Sequence, residues 1–362
     1  MTIEATSVIK KLMLVFLVVA ALYIGEEFLM PIAIAVVLAT LLLPLCKRLE
    51  KWSVPKVLAS IISVLLMLLF FAGLLALLGW QVSLLTKDLP LIQEKAVEFL
   101  ADMQKLIQKT FHITLREQKE MLKGQQDTIT TFISSLAGSV SSMFTDLILI
   151  IVYVSLFLFY RSHIKNFLLK LSPQNQREEM EQVILRSANV TQQYLIGLAK
   201  MIACLWVMYG IGFSILGVKN AIFFAILCGV LEIVPFIGNI TGTTITVLVA
   251  AIDGGSFPML GGIVATYGVV QLTQGWVLEP LIVGPQVKIN PLFTIIALVV
   301  GELLWGIPGI IVAIPLIAML KVFCDHIDSL KPYGFLIAEI ETEPKAPNAI
   351  IVKIKGWFKK AS

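Results

Sequence analysis

Long apolar runs separated by short charged loops set the rhythm of this chain. Apolar residues fill 12–30, interrupted only by Gly25, Glu26 and Glu27, and a second run follows at 31–46. The pair predicts a helical hairpin, with Pro31 in the first turn of the returning helix and Pro44 ending or kinking it. Further runs at 57–80 and 144–160 predict two more spans. The polar stretch between them carries apolar residues at helical spacing: Ile92, Ala96, Phe99, Met103 and Leu106 in one stripe, Ile129, Phe132, Leu136, Val140 and Met143 in another. Two amphipathic helices outside the membrane are expected there, the second running without a break into the fourth span. At 172–182 a surface helix is expected, opened by Ser172 as N-cap, and a fifth span covers about 195–216.

Two later runs differ in kind. Residues 221–252 enclose the stretch GVLEIVPFIGNITG at 229–242, in which a carboxylate, a proline and three glycines are sunk among apolar side chains. Each of these costs free energy in lipid unless the backbone is interrupted on purpose. Pro235 lacks an N–H, Gly238 is permissive and Asn239 can cap a new helix, so two short helices should meet there. Seventy positions on, the pattern recurs: Glu232 falls on Glu302, Phe223 on Phe293, Ile237 on Ile307 and Gly238 on Pro308, with the second tip reading GELLWGIPG at 301–309. Each arm has about 14 residues, near 21 Å as helix, short of the ~30 Å hydrocarbon layer. A re-entrant hairpin fits each pair better than a straight span, with Pro235 and Gly238 at one tip and Gly306, Pro308 and Gly309 at the other; two broken spans are the alternative. A full crossing at about 257–278 would then make the hairpins enter from opposite faces. Paired Gly/Pro-broken segments point to a transporter's binding site, because freed backbone groups there can hold a solute or ion.

Composition closes off other classes. The chain has 362 residues, of which 58% are hydrophobic and 14% charged, and a mean hydropathy of +0.91, which excludes an ordinary soluble domain. Its net charge of +4 matters less than where the basic residues sit. Lys47, Arg48, Lys51 and Lys56 fill the first short loop, and Arg161, Lys165, Lys170, Arg177 and Arg186 the second. By the positive-inside rule these loops and both termini are expected in the cytoplasm. Cys46, Cys204, Cys228 and Cys324 have no metal-ligand or CxxC spacing, so neither a metal nor a disulfide framework is indicated. No nucleotide-binding or hydrolase motif occurs, no nucleic-acid footprint is visible, and no cofactor or enzymatic chemistry is expected.

The fold class that follows is an all-α polytopic membrane protein of about six to eight membrane segments. It divides into 1–81 (hairpin and third span), 82–143 (extracytoplasmic helical insertion), 144–194 (fourth span and cytoplasmic loop), 195–330 (transport core with two broken hairpins) and 331–362 (basic cytoplasmic tail). Glu232, Glu279 and Glu302 are the carboxylates of that core, and a desolvated carboxylate can be kept protonated or paired with a cation, as coupling requires. Asn239, Thr241, Gln271 and Gln274 supply neutral hydrogen-bond partners suited to a polyhydroxylated solute, or to bonding between helices.

The stretch QLTQGWVLEPLIVGPQVKINP at 271–291 adds Glu279-Pro280-x-x-x-Gly284 and Asn290-Pro291 to Glu232-x-x-Pro235-x-x-Gly238. Together with GIPG at 306–309, this combination resembles the autoinducer-2 exporter family of bacterial membrane proteins over essentially the whole chain. Asn290 stands where many relatives have His, which argues against a titrating imidazole there. The resemblance implies a secondary carrier of the bacterial plasma membrane. It would be an exporter of the quorum-sensing signal autoinducer-2 coupled to protons or sodium, or else a sodium (lithium)/proton antiporter. It also implies a homo-oligomer, with a pentamer as the expected state. A membrane scaffold whose glycine-rich core is merely tight packing is the rival class.

Overall fold

In the computed structural model, residues 5–87, 126–235 and 237–339 are described, and every regular element among them is helical. The helices are α1 (Ala5–Ile24), α2 (Glu26–Lys51), α3 (Lys56–Lys87), α4 (Gln126–Leu171), α5 (Arg177–Ile215), α6 (Ala221–Leu231), α7 (Ile237–Ile252), α8 (Phe257–Thr273), α9 (Gly284–Val287), α10 (Pro291–His326) and α11 (Lys331–Ile337). A π-helical segment, Gln274–Val283, continues α8 directly. Among the described residues, five stretches, in α2, α3, α4, α10 and the run leading through α5, are long and apolar enough to cross a membrane. With large apolar side chains such as Phe16, Leu69, Ile148, Ile215 and Trp276 facing outward, the chain is a polytopic all-α membrane protein whose outer surface suits lipid or a partner.

Side-chain pairing shows which ends lie together. Arg161, several turns before the end of α4, pairs with Glu50 at the end of α2, and Lys165 pairs with Glu181 of α5 at 2.6 Å. Arg186 of α5 meets His326 at the end of α10, 2.9 Å away. Both basic loops and the α10–α11 junction therefore share one end of the bundle, hereafter the basic end. From it α5 runs 39 residues, about 58 Å of helix, to the opposite end, where Lys219 and Asp253 approach to 3.9 Å across the base of the α6–α7 pair.

The two broken runs are hairpins, and they enter from opposite ends. In the first, α6 and α7 pack along each other: a Cβ on Gly238 would stand 1.7 Å from the Leu231 carbonyl oxygen, and one on Gly242 2.9 Å from the Cys228 sulfur. In α10 the backbone leaves helical geometry at Trp305 (φ −138°, ψ 17°) and Gly306 (φ 60°, ψ −140°), a conformation only glycine adopts freely. A Cβ on Gly309 would lie 1.9 Å from the Gly301 carbonyl oxygen. In an unbroken helix residues eight apart are about 12 Å distant, so the arm 307–326 folds back along 291–304. Both ends of this second hairpin lie at the basic end, where Asn290 is tied to α11: its Nδ2 donates to the Leu336 oxygen at 2.8 Å and the Ala338 oxygen at 3.2 Å.

Several local expectations change. The expected 12–46 hairpin is absent: α1 bends at Gly25, where the helical hydrogen bonding continues from Gly25 N to Ala21 O and from Leu29 N to Gly25 O. Pro31 and Pro44 both lie inside α2; with no reversal at Pro31, α1 hardly touches α2 and stays largely exposed. The surface helix expected at 172–182 is the start of α5 rather than a separate element, and no side chain caps it. Asn239 lies inside α7 rather than at its cap. Helix α4 does run unbroken from Gln126 through the fourth span. The stripe at 92–106, Phe236 of the first tip and the tail from residue 340 lie outside the described residues.

Among the described residues the core has three parts. Tyr209, Phe213, Phe224, Cys228 and Ile263 close the space between α5, the first hairpin and α8. Ala35, Cys46, Ala59, Val154 and Leu158 join α2, α3 and α4. Met30, Val37, Trp305 and Val312 hold the second tip against α2.

Candidate functional site

Helix α6 ends at Leu231 because Pro235 offers no N–H to continue it. Glu232, the first residue past its end, is left at the tip inside the bundle and is only 3% exposed. Gly238 lets α7 start within backbone contact of Leu231, which brings Asn239, fully buried, close to Glu232. The third wall is the junction of α8 with the π-helical segment. There Gly284 N–H donates to the oxygen of Glu279, five residues back, in a stretch that contains Pro280. The wider turn sets Gln271 and Gln274 facing the tip, and π-helical turns of this kind recur at functional sites.

Four of these side chains and one from α5 form a directed network. The Tyr209 hydroxyl donates to Asn239 Oδ1 at 3.1 Å. Asn239 Nδ2 donates to Gln271 Oε1 at 3.0 Å and to Gln274 Oε1 at 3.1 Å. Gln274 Nε2 donates in turn to Glu232 Oε1 at 2.5 Å. From Tyr209 through Asn239 and Gln274 each donor points along the chain of bonds toward the carboxylate, with Gln271 as a side branch, and reversing the Gln274 amide would set donor against donor at Asn239 and acceptor against acceptor at Glu232. Glu232 Oε2 is buried without a hydrogen-bond partner, as is the hydroxyl of Thr243, one turn beyond Asn239. A buried carboxylate with one oxygen anchored and one open is a place to hold a proton or a cation.

Of the residues singled out from sequence, the structure gathers Glu232, Asn239, Gln271 and Gln274 at one point. Glu279 lies within electrostatic reach of Glu232 and of Tyr194, on the more exposed side of the π-helical segment. Thr241 lies on the exposed side of α7. Glu302 does not join the network: it faces outward beside the second tip. There the Trp305 indole N–H donates to the Leu22 oxygen of α1 at 3.0 Å. Pro308 and Gly309 open the returning arm. The two hairpins share α5 as a common wall; the first packs on α8 and the second on α2 and α11, so the tips serve different neighbours. Asn290 and Pro291 are a helix start: Asn290 Oδ1 accepts from Phe293 N at 2.9 Å, and Pro291 occupies the first turn. Tyr209 was not among the expected site residues. Its signal was a lone phenol in an apolar span, a group that needs a partner once buried. Among the described residues no group of His, Cys, Asp or Glu is arranged to hold a metal.

The sequence matches the family model described as AI-2E family transporter over residues 12–329. Among curated relatives, "Putative transport protein YueF" of Bacillus subtilis is 25% identical over 338 residues, covering 86% of this chain and 89% of the relative. "Putative transport protein YrrI" of the same organism is 24% identical over 314 residues, covering 82% and 85%. "AI-2 transport protein TqsA" of Escherichia coli is 22% identical over 351 residues, covering 94% and 98%.

Proposed function

The chain belongs to the AI-2E transporter family, and from that premise we propose that it is a secondary carrier in which Glu232 is the coupling group and the Asn239–Gln271–Gln274 amides bind a small polar solute. The observation that carries this reading is the buried carboxylate at a broken-helix tip, anchored through one oxygen and open at the other. The two hairpins enter from opposite ends, which is the geometry alternating access uses, each being able to gate one side. Export of a compact polyhydroxylated signal such as autoinducer-2 is the preferred substrate reading, supported by the row of neutral donors and acceptors and by the name of one relative. Antiport of sodium or lithium against protons is the second reading, favoured by the open carboxylate oxygen of Glu232, a hard ligand.

Orientation and assembly belong to the same proposal. The shared end of the two basic loops would face the cytoplasm of a bacterial inner membrane, with both termini there. Outward apolar side chains on α1 and the π-helical segment, with Trp276 81% exposed, suit contact between copies in a homo-oligomer. The deciding experiment is flux in proteoliposomes, with autoinducer-2, sodium and protons tested side by side, for the native chain and Glu232→Gln. Gln keeps shape and hydrogen bonding but removes the titratable charge. Loss of coupled flux with normal yield is expected; unchanged flux and unchanged pH and sodium dependence would make the carboxylate a packing element and favour the scaffold reading.

A further inference from the structure

Glu232 has one oxygen bonded and one free, and its two protonation states ask opposite things of the groups around it. An ionised carboxylate only accepts hydrogen bonds, whereas a protonated one must also donate. Tyr209 donates to Asn239, Asn239 to Gln274 and Gln274 to the carboxylate, which is the direction an ionised Glu232 requires. A proton kept on Oε2 would leave a buried O–H without an acceptor, because that atom has no partner, and an orphaned donor costs about 1–3 kcal/mol. On Oε1 the proton faces Gln274, and it is satisfied once Gln274 turns its own oxygen toward it.

Turning Gln274 alone opposes like groups at Asn239, but turning all the amides together does not. The oxygen and nitrogen of an amide are nearly interchangeable in shape, so reversal asks no movement of the packed helices. Gln274 and Gln271 then donate to Asn239 Oδ1, whose two lone pairs accept both, and Asn239 Nδ2 donates to the Tyr209 oxygen. The phenol proton must in turn find an acceptor. Thr243 supplies one: it is buried, its hydroxyl has no partner, and it stands one turn beyond Asn239 on the same face of α7, near the Tyr209 hydroxyl. The hydroxyl orphaned by one direction of the bonds is the one the other direction uses.

We infer that the Tyr209–Asn239–Gln274 bonds form a reversible relay, running toward Glu232 when it is ionised or holds a cation on Oε2, and reversing to end on Thr243 when it holds a proton on Oε1. The role of the relay rests on Glu232 being the coupling group. A proton and a cation are then told apart at one carboxylate, because only the proton reverses the bonds. The result is delivered to Tyr209 on α5, the wall both hairpins share. The other titratable groups around the tip are Glu279 on the π-helical segment, Cys228 one turn earlier on α6 and Tyr267 on α8.

Infrared difference spectra of the full chain in liposomes, titrated with acid, test this. The carboxyl band of Glu232 is identified by its loss in Glu232→Gln, and the phenol mode of Tyr209 by its loss in Tyr209→Phe. Both should change over the same pH range, and the Tyr209 change should vanish in Glu232→Gln. A Tyr209 mode that stays still while the Glu232 band titrates overturns the relay and leaves the coupling reading standing; a Glu232 band that never titrates removes both. In Thr243→Val the reversed bonds end on a phenol O–H with no acceptor. On the basic limb of the titration the protonated fraction should therefore fall about five- to tenfold, the effect of one lost hydrogen bond. The response to sodium chloride should stay as in the native chain, and Thr243→Ser should restore the proton signal. An unchanged proton signal, or equal loss of the proton and sodium responses, overturns the part given to Thr243 and with it the reversal.

Discussion

In the first hairpin the carboxylate at the repeat position is buried and bonded to Gln274, whereas its counterpart seventy residues on, Glu302, faces outward. The backbone devices are alike: a helix broken near a proline or glycine, and arms close enough that a Cβ on Gly238 or Gly309 would strike the facing carbonyl oxygen. The neighbours differ. The first tip meets Tyr209 and the amides of the α8 junction; the second is tied by Trp305 to α1 and sits among Met30, Val37 and Val312. A repeated sequence thus yields one chemical tip and one tip held by packing, which suits a carrier whose solute binds on one repeat while the other moves against the early helices.

The sharpest test of that contrast swaps charge at both positions. Glu232→Gln should abolish coupled flux, whereas Glu302→Gln, an exposed change, should alter it by less than about twofold. An equal loss in both would mean that the tips act as a symmetrical pair. Next in size, Gly238→Ala and Gly309→Ala place a methyl group against backbone, and each should destabilise by about 1–3 kcal/mol through overpacking, read as a lowered melting temperature in detergent. A harmless Gly309→Ala would show that the second hairpin is not closed as described. Asn290→Ala removes a helix cap and the ties to α11; a loss of about 1–2 kcal/mol is expected, with flux per folded molecule unchanged. Of comparable size, Trp305→Phe keeps an aromatic ring but deletes one N–H bond, worth about 1 kcal/mol, and leaves part of the buried indole's space unfilled. Hydrogen exchange should then rise at α1 and the second tip but not around Glu232.

Hydrophobic runs, basic loops and the two Gly/Pro-broken segments were legible because each is a property of local sequence: a helix needs a given length of apolar residues, and prolines and glycines set close together weaken it locally. The same logic placed Glu232, Asn239, Gln271 and Gln274 on the short list. Local rules failed where a choice depended on neighbours. Pro31 could open a returning helix, yet with α1 bent at Gly25 it lies inside α2; Asn239 could cap α7, yet its side chain is spent on Gln271 and Gln274.

Chain-local chemistry specifies a membrane-spanning helical protein with two interrupted hairpins and acidic residues set beside their tips, since periodicity, run length and backbone chemistry act within a few residues. Which carboxylate is buried depends on packing between distant segments. Glu232 and Glu302 stand in the same local pattern, and their fates diverge because Gln274, itself held by Asn239, reaches one of them from 42 residues away along the chain, while the other faces outward.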